Sequence, residues 1–178
     1  AVAALAGAGI GLLTYMASDM ALRDLTLWQM GSIAGAQWHY VILSLVALAL
    51  LSWQFTQSAN ALNALLLGEA EARHLGVNVD KLKRKLIVLC AVGVGIAVAA
   101  TGIIGFIGLV VPHLVRMLIG PDHKLLLPLS AMLGAAILVL ADIGARSIVA
   151  PSELPVGLVT ALLGAPFFII LLLNQRNK

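Results

Sequence analysis

Few residues in this chain can do chemistry, and their spacing narrows what that chemistry is. The 178 residues include eleven Lys and Arg, eight Asp and Glu, four His and one Cys. Five of the basic and three of the acidic residues fall in one stretch, Gly68–Lys85, which reads GEAEARHLGVNVDKLKRK. Within it Glu69 and Arg73 stand four apart, the helical spacing for an ion pair that contributes a few tenths of a kcal/mol. Asp142 and Arg146 repeat that spacing far along the chain. His113 and Arg116 stand three apart, just after Pro112. Asp122 and His123 adjoin in the turn GPDHK, and His39 lies between Trp38 and Tyr40. Such patterns can pair, cap and dock. Nucleophilic and phosphate chemistry are not written here. There is no GxxxxGK[ST] loop, so the chain does not hydrolyse ATP, and there is no GxSxG, HExxH or Cys/His framework. Asp122 and His123 have no partner at metal-ligand spacing and read as a cap. The lone Cys90, inside an apolar run, reads as a small buried residue. His39 reads as interfacial packing. The chain is thus expected to hold no catalytic residue, no metal and no cofactor of its own.

The elements that position these residues follow from composition. The chain is 61% hydrophobic and 11% charged, where soluble domains are about a quarter charged. The solvent for most of it is therefore lipid. A net charge of +3 does not imply nucleic acid, because the basic residues lie between apolar runs, where the positive-inside rule places them. The expected class is all-α, a polytopic transmembrane helical bundle of about six spans forming one domain, 1–178. Span A is Ala1–Ala17, with Gly7 and Gly11 as a GxxxG packing face. A short helix capped by Ser18 or Asp19 runs through Leu27 and breaks at Gly31-Ser32. Span B is Trp38–Thr56, with aromatic residues at its ends as interfacial anchors. From Leu86 to Val115 there is no Asp, Glu, Lys or Arg. As one helix that run would be about 45 Å long, against a hydrocarbon core of about 30 Å. Gly102, Gly105, Gly108 and Pro112 interrupt it, so it divides into span C, Leu86–Thr101, and span D, Ile103–Ile119, around a tight turn. Span E is Leu125–Ile148 and span F is Pro155–Leu173. Ala1–Leu13 has no n-region before it and does not read as a signal peptide. It reads as the middle of a helix, so the chain is expected to be part of a longer membrane protein.

The charged stretch has its own helix signals. Glu69 and Glu71 would occupy a first turn, Arg73 and His74 a last turn, and Gly76 a C-terminal stop, an order that complements the helix dipole. Asn78 is the N-cap of a second helix that continues through Lys85 into span C. With six spans and this stretch in the cytoplasm, nine of the eleven Lys and Arg lie inside, and only Arg23 and Arg146 lie outside. Read from the residues alone, the stretch is either a docking element or a solvated loop carrying positive-inside charge.

Several longer motifs go beyond spacing. LNALLLGEAEARHLGVNV, then GIIGFIGLVVPHLVRMLIGPDHK, ADIGAR and ELPVGLVTALLGAPFF, preceded by WQMGSIAGAQW, occur in the order and spacing of one family. The chain resembles the FecCD permeases, the transmembrane subunits of type II ABC importers for haem, iron–siderophores and vitamin B12. The likeness covers essentially the whole chain and corresponds to the C-terminal half of such a permease. It implies a multi-pass subunit of the bacterial inner membrane that works as a homodimer with a cytoplasmic ATPase dimer and a periplasmic binding protein. The segment 58–85 then becomes the cytoplasmic coupling segment. Gly68, Glu69, Glu71, Ala72, Arg73, Leu75 and Gly76 become the residues that meet the ATPase groove. Glu69 and Arg73 would pair with each other or reach that partner, and the small Ala72 would permit close packing. Arg146, with Glu153 in the next loop, becomes the docking point for the binding protein, and Asp142 the ion-pair partner of Arg146. Pro112, His113 and Arg116 match the family's PHxxR pattern, as a structural anchor against the coupling segment or as part of the inner gate. Among the cargoes, LRDLTLWQMGSIAG is most similar to haem permeases, with iron–siderophore and cobalamin beside it. The alternative class is an ion-driven secondary transporter. That class also uses broken helices, but it needs membrane-centred acids that these spans almost lack.

Overall fold

The computed structural model describes residues 2–148 and 154–176. Among them the chain forms eight helices and no strand. They are α1 (Val2–Tyr15), α2 (Asp19–Gln29), α3 (Trp38–Leu65), α4 (Glu69–His74), α5 (Val79–Thr101), α6 (Ile107–Ile119), α7 (His123–Ile148) and α8 (Val156–Arg176). Three helices, α3, α5 and α7, are long and apolar enough to cross a membrane. Three shorter apolar helical stretches accompany them, Ala4–Tyr15, Ile107–Ile119 and Val156–Ile170.

Local signals set most boundaries. The Ser18 hydroxyl caps α2 by accepting from the Ala21 amide at 3.4 Å. The Asn78 side chain caps α5 by accepting from the Lys81 amide at 3.0 Å. Asp122 caps α7, its carboxylate accepting from the Lys124 amide at 3.0 Å. The run Leu86–Val115 does break in two. α5 stops at Gly102, whose φ of +72° only glycine adopts freely, and α6 starts five residues later. α6 has 13 residues and a length of about 20 Å, too short to cross the bilayer alone.

α3 is longer than the expected span B. Its 28 residues extend about 42 Å, so residues 58–65 continue the helix instead of opening a loop, with Ser58 and Ala59 buried.

The core lies between α6 and α7. Val111 and Val115, one turn apart on α6, pack on Leu126 of α7, with Ile107, Leu133 and Ile137 around them. Gly134 of α7 lies under this contact, where an added Cβ would sit 3.5 Å from Ile107. In lipid such contacts act through close packing, since the surrounding chains are as apolar as the side chains. α3 joins α5 on one side and α7 on the other, and α8 packs on α6 and α7. Many large apolar side chains stay exposed, among them Leu48, Leu140 and Leu162, as expected of a surface meant for lipid or further protein.

Two packing expectations are corrected. Gly7 and Gly11 of α1 face open space, with nothing within 4 Å of an added Cβ. The described residues therefore do not use that GxxxG face. Cys90 is exposed, not buried. α5 meets α3 near Gly93, where a Cβ would lie 2.9 Å from Leu51. The half-buried stripe of α5 runs through Leu86, Leu89, Gly93, Ile96 and Ala100, and Cys90 lies beside it.

Candidate functional site

The charged stretch folds as a helix–turn–helix cradle at one end of the bundle. Gly68, with φ +108°, turns the chain sharply out of α3 and starts α4. Six residues later α4 stops in a glycine-based C-terminal cap: the Gly76 amide donates to the Arg73 carbonyl and the Val77 amide to the Ala72 carbonyl, both at 3.0 Å. Gly76 supplies the positive φ, +83°, that this cap needs. The chain then doubles back, and the start of α5 lies beside α4.

That arrangement decides the pairing. Glu69 and Arg73 do not pair with each other. Glu69 pairs with Lys83, and Arg73 lies 3.7 Å from Asp80. The reversal at Gly76 brings a cation and an anion of α5 opposite their complements on α4, and both pairs brace the short helix. The Lys83 ammonium, hydrogen-bonded to Glu69, holds that carboxyl below its ordinary value of 4.5. Both pairs are solvent-exposed, so each is weak. Ala72 points inward and is fully buried. It is the packing contact of α4, and any larger side chain there would lift the helix. Glu71, His74 and Leu75 remain exposed, as do Leu66 and Leu67 just before the helix. The predicted coupling residues therefore separate by role. Ala72, Gly68 and Gly76 shape the element, Glu69 and Arg73 brace it, and Glu71 and Leu75 present a surface.

Beside this cradle sits a polar cluster in which sequence reasoning missed the central residue. Asn63, near the end of α3, donates from Nδ2 to Asp122 Oδ1 at 2.6 Å. Its Oδ1 accepts from the His123 amide at 2.8 Å and lies 2.9 Å from His123 Nδ1. Asp122 is thus a cap, as expected, and also an anchor. The Lys124 amide, followed by the Asn63 amide group, holds its carboxyl below the ordinary 3.8. The signal in the sequence was a lone Asn in the apolar run ALNALLLG. Arg116, in the last turn of α6, is close enough for its charge to act on His123. His113 is half-buried one turn earlier. Pro112 lies inside α6, where it removes one backbone hydrogen bond.

Toward the other end of α7, about 35 Å from His123 along the helix, Arg146 Nε donates to Asp142 Oδ2 at 2.7 Å. The i,i+4 ion pair is present as expected, with Asp142 the more buried partner. Glu153 lies outside the described residues.

That same end holds a junction of three glycines. An added Cβ on Gly102 would sit 2.0 Å from the Trp28 carbonyl oxygen, one on Gly157 2.1 Å from the Met30 oxygen, and one on Gly31 2.4 Å from the Ile103 oxygen. Two backbone hydrogen bonds tie it, Ser32 N–H to the Thr101 carbonyl at 2.8 Å and Gly157 N–H to the Gly31 carbonyl at 3.2 Å. The ends of α2 and α5 and the start of α8 meet there largely backbone to backbone, with the Ile104 side chain also against Gly31. Phe106 follows in a strained conformation, φ +66°, with its ring against Gly164 of α8. It lines an apolar cleft of about 170 Å³ with Val110, Thr160 and Phe167. The cleft has no charged group and offers no ligand to a metal complex. Among the described residues no three His, Cys, Asp or Glu side chains converge on a metal-sized site.

Comparison with known proteins adds to this geometry. A model described as the FecCD transport family matches residues 1–174. A hemin transport system permease protein of Yersinia pestis is 49% identical over 178 residues, covering 100% of this chain and 53% of that protein. A vitamin B12 import system permease protein of Vibrio vulnificus (strain CMCP6) is 45% identical over 177 residues, covering 99% and 53%. A solved inward-facing structure assigned to the metal-chelate type of ABC transporter superposes with a TM-score of 0.89 at 37% identity, covering 96% of this chain and 56% of the other. The chain spans about half the length of the curated relatives it matches.

Proposed function

The chain belongs to the FecCD transport family, and from that premise we propose that it is the membrane-spanning permease part of an ATP-binding-cassette importer for a metal chelate, with haem the first choice. It is a multi-pass membrane protein, and in this reading it lies in a bacterial inner membrane with the α4 end in the cytoplasm. The observation that carries the reading is α4 itself. It is a short helix braced from behind by α5, seated on Ala72, and left with Glu71, His74 and Leu75 outward. A loop that only solvated positive charge would need neither the buried alanine nor the two cross-pairs. A separate ATPase dimer docks on this surface, and its closure on ATP pushes α4 against the bundle. A periplasmic binding protein delivers the chelate at the opposite end, where Arg146 receives an acidic group and Glu153 belongs to the same docking contact. Asp142 orients Arg146 by their ion pair. Two copies form the translocation path. His113 and Arg116, near the α4 end of α6, serve the inner gate. The choice of haem rests on the hemin permease relative. The vitamin B12 relative keeps cobalamin as the second cargo, with iron–siderophore as the third.

The test uses the full-length permease with its ATPase subunits in proteoliposomes, comparing ATP with an imposed proton gradient as the only energy source. Uptake of radiolabelled haem that needs ATP is the expected result; uptake driven by the gradient alone would overturn the reading in favour of a secondary transporter. Gly76→Val and Glu69→Lys are expected to abolish ATP-driven uptake while the protein still inserts. Full uptake in both variants would remove α4 as the docking element. Running radiolabelled cobalamin in parallel decides between the first two cargoes.

A further inference from the structure

We propose that Asn63 is a positioning residue that makes α7 move with the docking helix, so that a push on α4 reaches the far end of the bundle through α7. The proposal rests on the permease reading above.

α4 adjoins α3 and α5 in the chain and has no backbone link to α7. Its side-chain braces run only to α5 and are exposed ion pairs, which yield easily. Asn63 supplies the missing connection. It lies five residues before the hinge at Gly68, and it makes three polar contacts with the first turn of α7 and its cap. The amide has one orientation that satisfies all three. Nδ2 must face the Asp122 carboxylate, which can only accept, and Oδ1 must face the His123 backbone N–H, which can only donate. The flipped amide would set oxygen against carboxylate and N–H against N–H. The same logic assigns the His123 proton to Nδ1, because that nitrogen faces the Asn63 oxygen. The bond to the carboxylate is charge-assisted and the stronger for it.

Past this clamp α7 is continuous helix to the Asp142–Arg146 pair, and it carries the core contact with α6. A displacement of the inner end of α3 is thus delivered to a packed rod that ends at the proposed binding-protein contact. Without the clamp, α3 and α7 still adjoin, but among the described residues no other hydrogen bond or ion pair fixes one along the other. Directional polar contacts set the register that sliding would lose.

The experiment measures haem uptake and ATP hydrolysis separately in proteoliposomes holding the full-length permease, its ATPase subunits and haem-loaded binding protein. Asn63→Leu should still copurify with the ATPase, because the outer face of α4 is untouched, and hydrolysis should stay near the wild-type rate. Uptake per ATP should fall about tenfold or more. Asn63→Asp should fail in the same way, by setting one carboxylate against another. The exchange Asn63→Asp with Asp122→Asn restores a donor opposite an acceptor, at the cost of the cap on the Lys124 amide that shares Asp122 Oδ1, and should recover part of the lost ratio. A merely structural role predicts otherwise: lower yield, with uptake and hydrolysis reduced together and their ratio unchanged. An unchanged ratio in Asn63→Leu, or a double exchange no better than Asn63→Asp alone, would overturn the proposal. If Asn63→Leu fails to insert, the single and double exchanges decide the matter. Wild-type protein that takes up haem without ATP would fail at an earlier step and overturn the permease reading and the clamp with it.

Discussion

The two ends of the bundle are joined in opposite ways. At the Gly102 end, three glycines bring backbone against backbone, with carbonyl oxygens where side chains would be. At the α4 end, the junction is made of side chains: Asn63 on Asp122 and His123, Glu69 on Lys83, and Arg73 on Asp80. A junction made mostly of backbone has little freedom, because backbone atoms cannot choose another rotamer. Side-chain junctions can loosen and re-form at little cost, since exposed ion pairs are worth little and polar groups there can turn to water. An element that must take a push from a partner is better built the second way, and the frame that resists the push the first way.

The sharpest way to break this contrast is Gly102→Ala. Its Cβ would overlap the Trp28 oxygen at a φ that L-residues avoid. The combined overpacking and strain is about 3 kcal/mol or more. Most of the protein should fail to reach a folded state, as seen by size-exclusion profile and thermal midpoint. Gly7→Ala, in open space, should fold normally and marks the contrast.

Ala72→Leu probes the other end. The site is fully buried, and overpacking there costs about 1–3 kcal/mol. The side chain can escape, however, by lifting α4. The expected result is a folded protein whose α4 amides exchange hydrogen quickly and which no longer couples ATP to uptake. Slow exchange with normal uptake would show that α4 tolerates no displacement and would make the two ends alike.

Asn63→Ala leaves its partners at a largely solvent-accessible site where water can replace the lost bonds, so the net cost is about 1 kcal/mol and the thermal midpoint should drop by about 2–4 °C. A drop as large as that of Gly102→Ala would mean that the clamp is frame and not linkage.

The smallest effect is pH dependence. Glu69 and Asp122 both titrate below their ordinary values of 4.5 and 3.8, because the folded state favours their charged forms. A lowered carboxyl pKa contributes stability above the unfolded value, and that contribution is lost as pH falls through the folded one. The opening of α4, read as observed exchange divided by the intrinsic amide rate at each pH, should therefore be flat from neutral pH down to about 4.5 and rise slightly below it. Glu69→Gln should remove its share of that rise while leaving the share of Asp122.

Much of the fold was legible from the residues, and the reason is local. Ser18 and Asn78 name their own helix starts by capping chemistry, and Gly76 and Gly102 name stops by the φ they permit. Asp122 was recognised as a cap for the same reason. The residues of α4 were visible as a group because they are contiguous in the chain. Their division of labour was not. Glu69 and Arg73 stand at pairing distance within their helix, and only the reversal at Gly76 offered each a different partner. Cys90 looked buried because its neighbours are apolar, but burial in a membrane protein depends on which stripe of the helix meets another helix.

By itself, the sequence determined the capped starts of α2 and α5 and the glycine stops of α4 and α5, that most of the helices belong in lipid, and that the charged stretch is a structured element. Capping, glycine φ and hydropathy act over a few residues, so a one-dimensional record contains them. The tertiary structure alone decided that Asn63 clamps α7, sixty residues away in the chain, and that Gly31, Gly102 and Gly157 form one junction. Those contacts depend on how rods of helix pack, and packing is the sum of many weak dispersion contacts that no single residue announces.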